Sequence, residues 1–305
     1  MKKFICLENK IRLDKFLVER LKGLSRSKIQ HLIEDGQIEV NSEVVNKKHY
    51  WLDDGDKIVV SSSSPTPLPK KKALFLKKDI KIIKKAKDYV VVEKPSGLIV
   101  HGTKEIQEYS LVDWLIKKYP QIKKVGDDPE FRPGIVHRLD KKVSGLMVVA
   151  LNQDSFQNLK AQFKDRTIVK KYLALVHDQM EDEVGQIDFP IERSKRSGKM
   201  VAKPKHFDEK EALTLWETKE KFAHYTLLDV QIKTGRNHQI RAHMQAVHHP
   251  VVGDDLYNIK SYKDKFDLKR IFLHAYHLEF QDLNGETQIF EIDLPEVLQN
   301  VIKEL

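Results

Sequence analysis

Residues 132–149 constrain the fold of this chain more than any other stretch. Two apolar runs, at 135–136 and 146–149, predict buried strands, and Pro-Gly and Ser-Gly steps mark turns around the segment between them. The polar side chains of that segment are His137, Arg138 and Asp140. Loops at strand ends on a rigid scaffold often carry function, so this segment is the first candidate site.

A structural interpretation of the same segment is equally good on spacing alone. Arg138 and Asp140 could form an ion pair that only holds the loop in place, and such pairs are common. The tripeptide Arg-Leu-Asp also occurs at Arg12–Asp14, so it identifies nothing by itself.

Composition narrows the class of protein. The chain has 305 residues, of which 32% are charged and 40% hydrophobic, as expected for a soluble protein with one large and one small domain. We expect a cytoplasmic protein without a membrane helix, because no apolar run approaches 20 residues and the amino terminus lacks a secretory apolar core. Cys6 is the only cysteine, which excludes an internal disulfide. The net charge of +9 weakly favours a polyanionic partner.

Residues 11–60 predict a small module of two helices followed by short strands. Leu13, Phe16 and Leu17 share one helical face, and Ser25 is placed to begin the second helix. Arg26 and Lys28 fall in the first turn of that helix, where cations oppose the helix dipole unless a phosphate binds there.

A Ser/Pro-rich stretch follows at 61–69 and predicts a linker. Residues 70–88 then hold nine lysines and two aspartates. This run is either a solvated face or an extension of an RNA-binding surface, and the sequence favours neither.

The long context of Asp140 resembles the signature of the RluA-type pseudouridine synthases, in which Pro-Gly, an apolar pair, His-Arg-Leu-Asp and Ser/Thr-Gly precede an apolar strand. Further segments with the same resemblance begin at Lys94, Lys170, Lys233 and Ile271. Residues 11–60 resemble the small RNA-binding domain named after a ribosomal small-subunit protein. The alternative there is a generic helical cap.

The resemblance implies catalytic roles for Asp140 and Tyr172, and we expect Arg236 to act with them because it lies at the turn after a core strand, as Asp140 does. Asp140 would be the catalytic aspartate, Tyr172 would stack on the uracil, and Arg236 would be the cation that faces the carboxylate. In isolation a strand tyrosine such as Tyr172 is usually a packing residue. Arg241 lies five residues after Arg236, about 140° around a helix, so only one of the two should reach the site.

RNA binding is expected from further cations and one histidine, and the candidates are Arg138, His137, Arg26, Lys28, Arg193 and Arg241. Arg138 would fill the gap left by a flipped base or hold phosphates, and Arg193 belongs to a basic loop. Arg241 would contact the RNA backbone or form a structural pair.

Two departures from the family pattern stand at Lys142-Val143 and at Asn237, where the family more often has Thr. A metal site is not expected, because His238 and His243 are five residues apart and would point in different directions from one helix.

The sequence therefore predicts an α+β protein with a mixed, mainly antiparallel sheet in the catalytic domain and a small N-terminal α/β RNA-binding module. The expected domains are 1–62, a linker over 63–79, and 80–305. We expect a monomer that isomerises uridine to pseudouridine in structured RNA, without cofactor or metal. Ribosomal RNA is the favoured substrate and transfer RNA the alternative. The competing functions are a non-catalytic RNA-binding or assembly protein and a metal-dependent RNA hydrolase.

Overall fold

The structure is a computed structural model. It describes residues 2–21, 24, 26–34, 36–47, 49–60, 80–102, 108–194, 198–203, 211–259, 261–262 and 265–305, without the side chains of 27, 28, 31 and 34. The chain divides into two compact units, Met1–Lys71 and Lys72–Leu305. The predicted linker over 63–79 lies outside the described residues.

The first unit contains two helices and short strands. In chain order they are β1 (Lys2–Ile5), β2 (Ile11–Arg12), α1 (Leu13–Arg20), α2 (Arg26–Glu34), β3 (Ile38–Val40), β4 (Glu43–Val44), β5 (Trp51–Leu52) and β6 (Lys57–Val60). A four-stranded sheet has the order β1-β6-β3-β4, and β2 pairs with β5. The predicted helical face is confirmed, because Leu13, Phe16 and Leu17 are fully buried in the core of this unit.

The second unit is built on a nine-stranded sheet. Its elements are β7 (Lys81–Lys85), β8 (Tyr89–Lys94), α3 (Leu111–Lys118), β9 (Ser144–Ala150), α4 (Gln153–Asp165), β10 (Val169–His177), β11 (Val184–Ile187), β12 (Ile191–Arg193), β13 (Met200–Ala202), β14 (Thr214–Lys221), β15 (Tyr225–Ile232), α5 (Gln239–Ala246), β16 (Leu273–Gln281), β17 (Thr287–Glu291) and α6 (Glu296–Lys303).

The strand order of this sheet is β11-β14-β15-β10-β16-β9-β8-β7, and β17 also pairs with β16. Within the described residues its pairings are antiparallel except for β16 with β9, which run parallel. This arrangement confirms the predicted mixed, mainly antiparallel sheet.

Ser110 and Asn152 each precede an apolar helical pattern in the sequence and are predicted to cap a helix, and both caps are confirmed. The Ser110 side chain caps α3, and Asp113 returns a bond to the Ser110 backbone. The Asn152 side chain accepts the Ser155 amide at the start of α4.

The predicted strand at Ile135-Val136 is wrong. Ile135 makes only an isolated bridge to Val149. The ladder stops at this bridge because the Val148 amide, which would continue it, donates to Nε2 of His137 instead, so residues 136–140 run beside the sheet as a loop. The apolar run at 98–100 also predicts the start of a strand, but the structure reduces it to one bridge, between Ile99 and Ser110.

In the described ranges, no helix combines the length and the apolar character needed to cross a membrane.

Candidate active site

Asp140 lies just before β9, in a loop that a buried lysine holds. Lys94, at the end of β8, is fully buried and donates from Nζ to the carbonyl oxygens of Leu98 and Lys141, at 2.8 and 3.4 Å. Burial lowers the pKa of Lys94 to about 7, although the charge of Asp140 acts in the opposite direction. The lysine therefore ties the turn after β8 to the residue next to Asp140.

The same turn makes further bonds to the Asp140 loop. The amide of Gly97 donates to the Lys141 carbonyl over 2.6 Å, and Ser96 Oγ donates to the Lys142 carbonyl over 2.8 Å. Lys142, one of the two departures from the family pattern, pairs with Asp255 at 2.9 Å. The loop is thus fixed from two sides.

β9 is locked to β16 directly after this loop. Ser144 and Gly145 pair with His274 and Ala275. Ser144 Oγ accepts a bond from Arg270 Nη2 at 2.6 Å and lies 2.7 Å from Nδ1 of His274. Gly145 has a φ of +128°, and a Cβ there would overlap the backbone of Ala275. Only glycine fits this close approach.

The cation that contacts Asp140 is Arg241. Its Nη1 donates to Oδ2 of Asp140 at 2.8 Å, while Nε and Nη2 donate to Asp254 at 2.6 and 2.9 Å. Arg241 is 5% exposed and Asp254 is 1% exposed. Burial disfavours the charge, but the bonds and charges of the two carboxylates outweigh it and raise the pKa of Arg241. One fixed guanidinium therefore joins both carboxylates.

The prediction that Arg236 faces Asp140 is wrong. Arg236 Nε donates to the Glu211 carbonyl at 2.9 Å, and among the described residues it forms no ion pair with Asp140. The sequence also predicts Asn237 as the cap of the following helix, and this is wrong, because α5 begins at Gln239 with His238 at the N-cap. Arg241 is thereby placed in the first, buried turn of α5, and Arg236 stays in the turn before it. Of the two roles expected for Arg241, the structure shows the structural pair, made with Asp254 and Asp140.

The imidazole of His238 is the second polar side chain, after Arg241, that lies beside Asp140. Its Nε2 lies 3.8 Å from Oδ2 of Asp140, and its Nδ1 lies 3.0 Å from the hydroxyl of Tyr257. Sequence reasoning considered His238 only as a metal ligand. The sequence did offer one signal of a site role for His238, because this residue lies directly before a helix that follows a core strand.

Tyr172 lies on β10 at a break in the register with β16. It is 6% exposed, and burial followed by the charge of Asp140 raises the pKa of its hydroxyl. The hydroxyl therefore stays protonated, and the charge of Asp140 acts on it.

A cavity of about 460 Å³ opens beside Tyr172. The described residues that line it include no Asp or Glu, and its cations are Arg132, Arg138, Lys164, Arg166, Lys170, Lys233 and Arg236. Four predicted site residues line this cavity, namely Tyr172, Arg138, Arg236 and His137. The positive charge around this cavity would attract a polyanion.

His137 also lines the cavity, but much of its ring is already engaged. Its Nε2 accepts the Val148 amide at 3.0 Å, and the ring stacks on Phe163 with centroids 4.7 Å apart. Burial and then the charge of Lys170 lower the pKa of His137 to about 3, so the ring is neutral. Lys170 lies 5.1 Å from the Phe163 ring centroid, and burial lowers its pKa to about 8.

The remaining predicted cations are Arg138, Arg193, Arg26 and Lys28. Arg138 is exposed, and among the described residues it forms no ion pair with Asp140, so the structural interpretation of that pair is wrong. Arg193 is exposed at the end of β12. In the first unit Arg26 donates from Nε to Asp14 at 2.9 Å, and the Lys28 side chain lies outside the described residues.

A metal centre finds no support in the described ranges, where no group of three or more His, Cys, Asp or Glu side chains could hold an ion. His243 has both ring nitrogens in use, with Thr214 Oγ1 and the Phe189 carbonyl each at 2.8 Å.

Two family models match the chain. The model described as RNA pseudouridylate synthase matches residues 88–246, and the S4 domain model matches residues 11–58. An uncharacterized RNA pseudouridine synthase of Aquifex aeolicus is 38% identical over 95% of this chain and 92% of its own length.

A ribosomal large subunit pseudouridine synthase C of Haemophilus influenzae is 28% identical over 96% of this chain and 91% of its own length. Among solved structures, human RNA pseudouridylate synthase domain containing 1 aligns with a TM-score of 0.58. It is 25% identical and covers 72% of this chain and 85% of that one.

Proposed function

Given that the chain belongs to the RNA pseudouridylate synthase family and forms pseudouridine in RNA, we propose that its substrate is ribosomal RNA and that Asp140 is the catalytic carboxylate. The observation that carries the proposal is the placement of Asp140, held by Arg241 beside the buried Tyr172.

The reaction replaces the bond between N1 of uracil and C1′ of ribose with a bond between C5 and C1′. A carboxylate suits the electron-poor sugar carbon, which it can attack or stabilise as in glycoside chemistry. Arg241 occupies Oδ2 of Asp140 at 2.8 Å. Among the described residues no hydrogen bond reaches Oδ1, so Oδ1 is the oxygen available to the sugar.

The target base must leave its stack before this chemistry can occur. Tyr172 offers an aromatic face against which a uracil can stack, and the cavity beside it can accept the flanking phosphates. Arg138 and Arg236, both lining that cavity, are the proposed contacts to the RNA backbone. The uracil would thus be confined between Tyr172 and the Asp140 loop while it turns.

Ribosomal RNA is favoured by two observations. The Haemophilus influenzae relative is named for the large ribosomal subunit, and the S4 match at residues 11–58 covers the module that carries Arg26 and Lys28. We place the protein in the cytoplasm with that substrate, and the monomeric state stays a prediction.

The substrate is tested by mapping pseudouridines in all stable RNAs of a deletion strain and by tritium release from carbon-5-labelled transcripts. We expect at least one ribosomal position to lose its pseudouridine and to regain it when the gene is restored. Loss confined to transfer RNA would overturn the ribosomal assignment.

The role of Asp140 is tested with Asp140→Asn, which keeps the shape of the side chain and removes the nucleophile. We expect tritium release to fall at least about a thousandfold while RNA affinity stays within about threefold. Activity within tenfold of the parent would exclude Asp140 as the catalytic carboxylate.

A further inference from the structure

His238 occupies an unusual backbone position beside Asp140. It is the N-cap of α5 with φ 55° and ψ 25°, in the left-handed region, and its side chain makes no capping bond. A residue other than glycine is uncommon in that region, and such positions concentrate at functional sites. The side chain is instead directed toward Asp140 and Tyr257.

Tyr257 fixes the orientation of the imidazole. The Tyr257 hydroxyl lies 3.0 Å from Nδ1 of His238 and accepts the Met200 amide at 3.2 Å. Tyr257 is itself 3% exposed and lies under the Arg241 guanidinium, 4.9 Å from its ring centroid. The hydroxyl is therefore held from several sides, and the imidazole cannot turn freely.

The other nitrogen of His238 is available. Its Nε2 lies 3.8 Å from Oδ2 of Asp140, which is too long for a hydrogen bond. Among the described residues Nε2 has no hydrogen-bond partner, and 24% of the side chain is exposed. A nitrogen that is oriented, accessible and close to the proposed catalytic carboxylate is placed for proton transfer.

The reaction requires a proton carrier. Once C5 has bonded to C1′, C5 still bears its hydrogen and the ring contains a C6=N1 double bond. The C5–H bond then breaks, its electron pair forms C5=C6, and the C6=N1 π pair moves to N1, which takes up a proton. One proton therefore leaves C5 and one arrives at N1.

Tyr172 is poorly suited to receive that proton, because burial and Asp140 keep its hydroxyl protonated. His238 is well suited. Burial lowers its pKa, with Arg241 and Arg138 acting in the same direction, while Asp140 and Asp254 oppose them. The imidazole is neutral at neutral pH, and the nearby carboxylate of Asp140 stabilises the imidazolium that forms.

We propose that Nε2 of His238 accepts the proton that leaves C5 and that the resulting imidazolium supplies the proton taken up by N1. The inference rests on the proposed role of Asp140 at the sugar carbon. It adds a second catalytic residue that acts on the base.

The first experiment replaces His238 by Asn, which tolerates the left-handed backbone. The Asn amide can keep the bond to Tyr257 but provides nothing at the position of Nε2. We expect kcat to fall about 100-fold, as for loss of a general acid–base group, with RNA affinity within about twofold. His248→Asn is the matched control, because His248 is exposed and also has a positive φ of 66°. We expect it to keep the parent kcat.

The second experiment asks whether C5–H cleavage has become slow. Transcripts carrying uridine deuterated at C5 should give a larger isotope effect on kcat with His238→Asn than with the parent. A variant that only misplaces Asp140 would slow both isotopes equally. In the parent, kcat should fall as the pH drops through the lowered pKa of His238, and this dependence should be lost in the variant.

The third experiment uses His238→Gly, which opens space for added imidazole and keeps the backbone conformation accessible. Free imidazole should restore at least about tenfold of the lost rate. A parent-like rate for His238→Asn, or a slow variant with neither an enlarged isotope effect nor imidazole rescue, would overturn the proposal. A parent-like His238→Asn together with an inactive Asp140→Asn would leave the proposed function standing.

Discussion

The Arg241 guanidinium donates from Nη1 to Oδ2 of Asp140 across 2.8 Å, although the two residues are 101 positions apart in the chain. The other two nitrogens of the group are fixed on the buried Asp254. The charge beside Asp140 is therefore set by the packing of α5 and cannot follow the carboxylate if the loop moves. Such a fixed charge is the kind of preorganised group that stabilises charge during a reaction.

Arg241→Lys should lower kcat for pseudouridine formation about 100-fold, because one ammonium group cannot bond both carboxylates in the geometry of the planar guanidinium. Arg236→Lys is the comparison, and we expect its kcat to stay within about threefold of the parent. Tritium release under saturating RNA measures both. A larger loss of kcat in Arg236→Lys than in Arg241→Lys would restore Arg236 as the partner of Asp140.

Gly145→Ala should lower the free energy of unfolding by about 3 kcal/mol or more. The added methyl meets the backbone of Ala275 at a position whose φ of +128° already disfavours other residues. Gly285→Ala is the control, since its φ is +80° and no atom lies within 4 Å of the added carbon. Urea denaturation measures the difference in the free energy of unfolding. Equal losses of this free energy in the two variants would show that the backbone of β16 can shift to accommodate the added methyl group.

Deletion of residues 1–62 should weaken RNA binding and flatten its dependence on salt, while the remaining chain still folds. If about two phosphate contacts are lost, the slope of log K against log salt changes by about 1.4. Fluorescence anisotropy at several salt concentrations measures the slope, and circular dichroism checks the fold. An unchanged slope would assign the first unit a role other than binding phosphates.

The first unit should lose stability in acid through Asp14. Burial would raise the pKa of Asp14, but the bonds from Arg12, Gln30 and Arg26 outweigh it and lower the pKa to about 2. A depressed pKa adds stability above the unfolded value near 4, and this contribution of about 2 kcal/mol is lost as the pH falls from about 4 to about 2. Hydrogen exchange of the backbone amides of Ile29 and Ile33, followed in the full chain, measures this loss of stability.

Asp14→Asn should make the stability of the first unit less dependent on pH between about 4 and 2. Asp53→Asn serves as the control, because Asp53 is exposed in the same unit. Its pH dependence should match that of the parent. If the stability of Asp14→Asn and of the parent depended on pH in the same way, Asp14 would be excluded as the group responsible for the loss of stability in acid.

Local patterns predicted much of the fold correctly. Helix caps such as Ser110 and Asn152 depend on neighbouring residues, so the sequence carries their full signal. The choice between Arg236 and Arg241 depended on where α5 begins. That start is set by the left-handed backbone of His238. The His238 side chain is held by Tyr257, a residue distant from it in the sequence.

The strand predicted at Ile135-Val136 failed for a similar reason. Its apolar residues do pack inward, but pairing with β9 stops at the bridge from Ile135 to Val149 because the Val148 amide donates to the His137 side chain. Periodicity reports burial, whereas pairing is a property of the whole sheet.

The parallel pairing of Ser144 and Gly145 with His274 and Ala275 also sets the order in which a newly made chain becomes an enzyme. While residues before 270 emerge from the ribosome, β9 lacks the neighbour against which it closes, and Ser144 lacks both Arg270 and His274. Folding during synthesis proceeds from the amino terminus, so the first unit can form early. The support that β16 gives to β9 beside the Asp140 loop comes only when translation is nearly complete, and a chain that stops short of β16 carries the S4 module without a completed catalytic site.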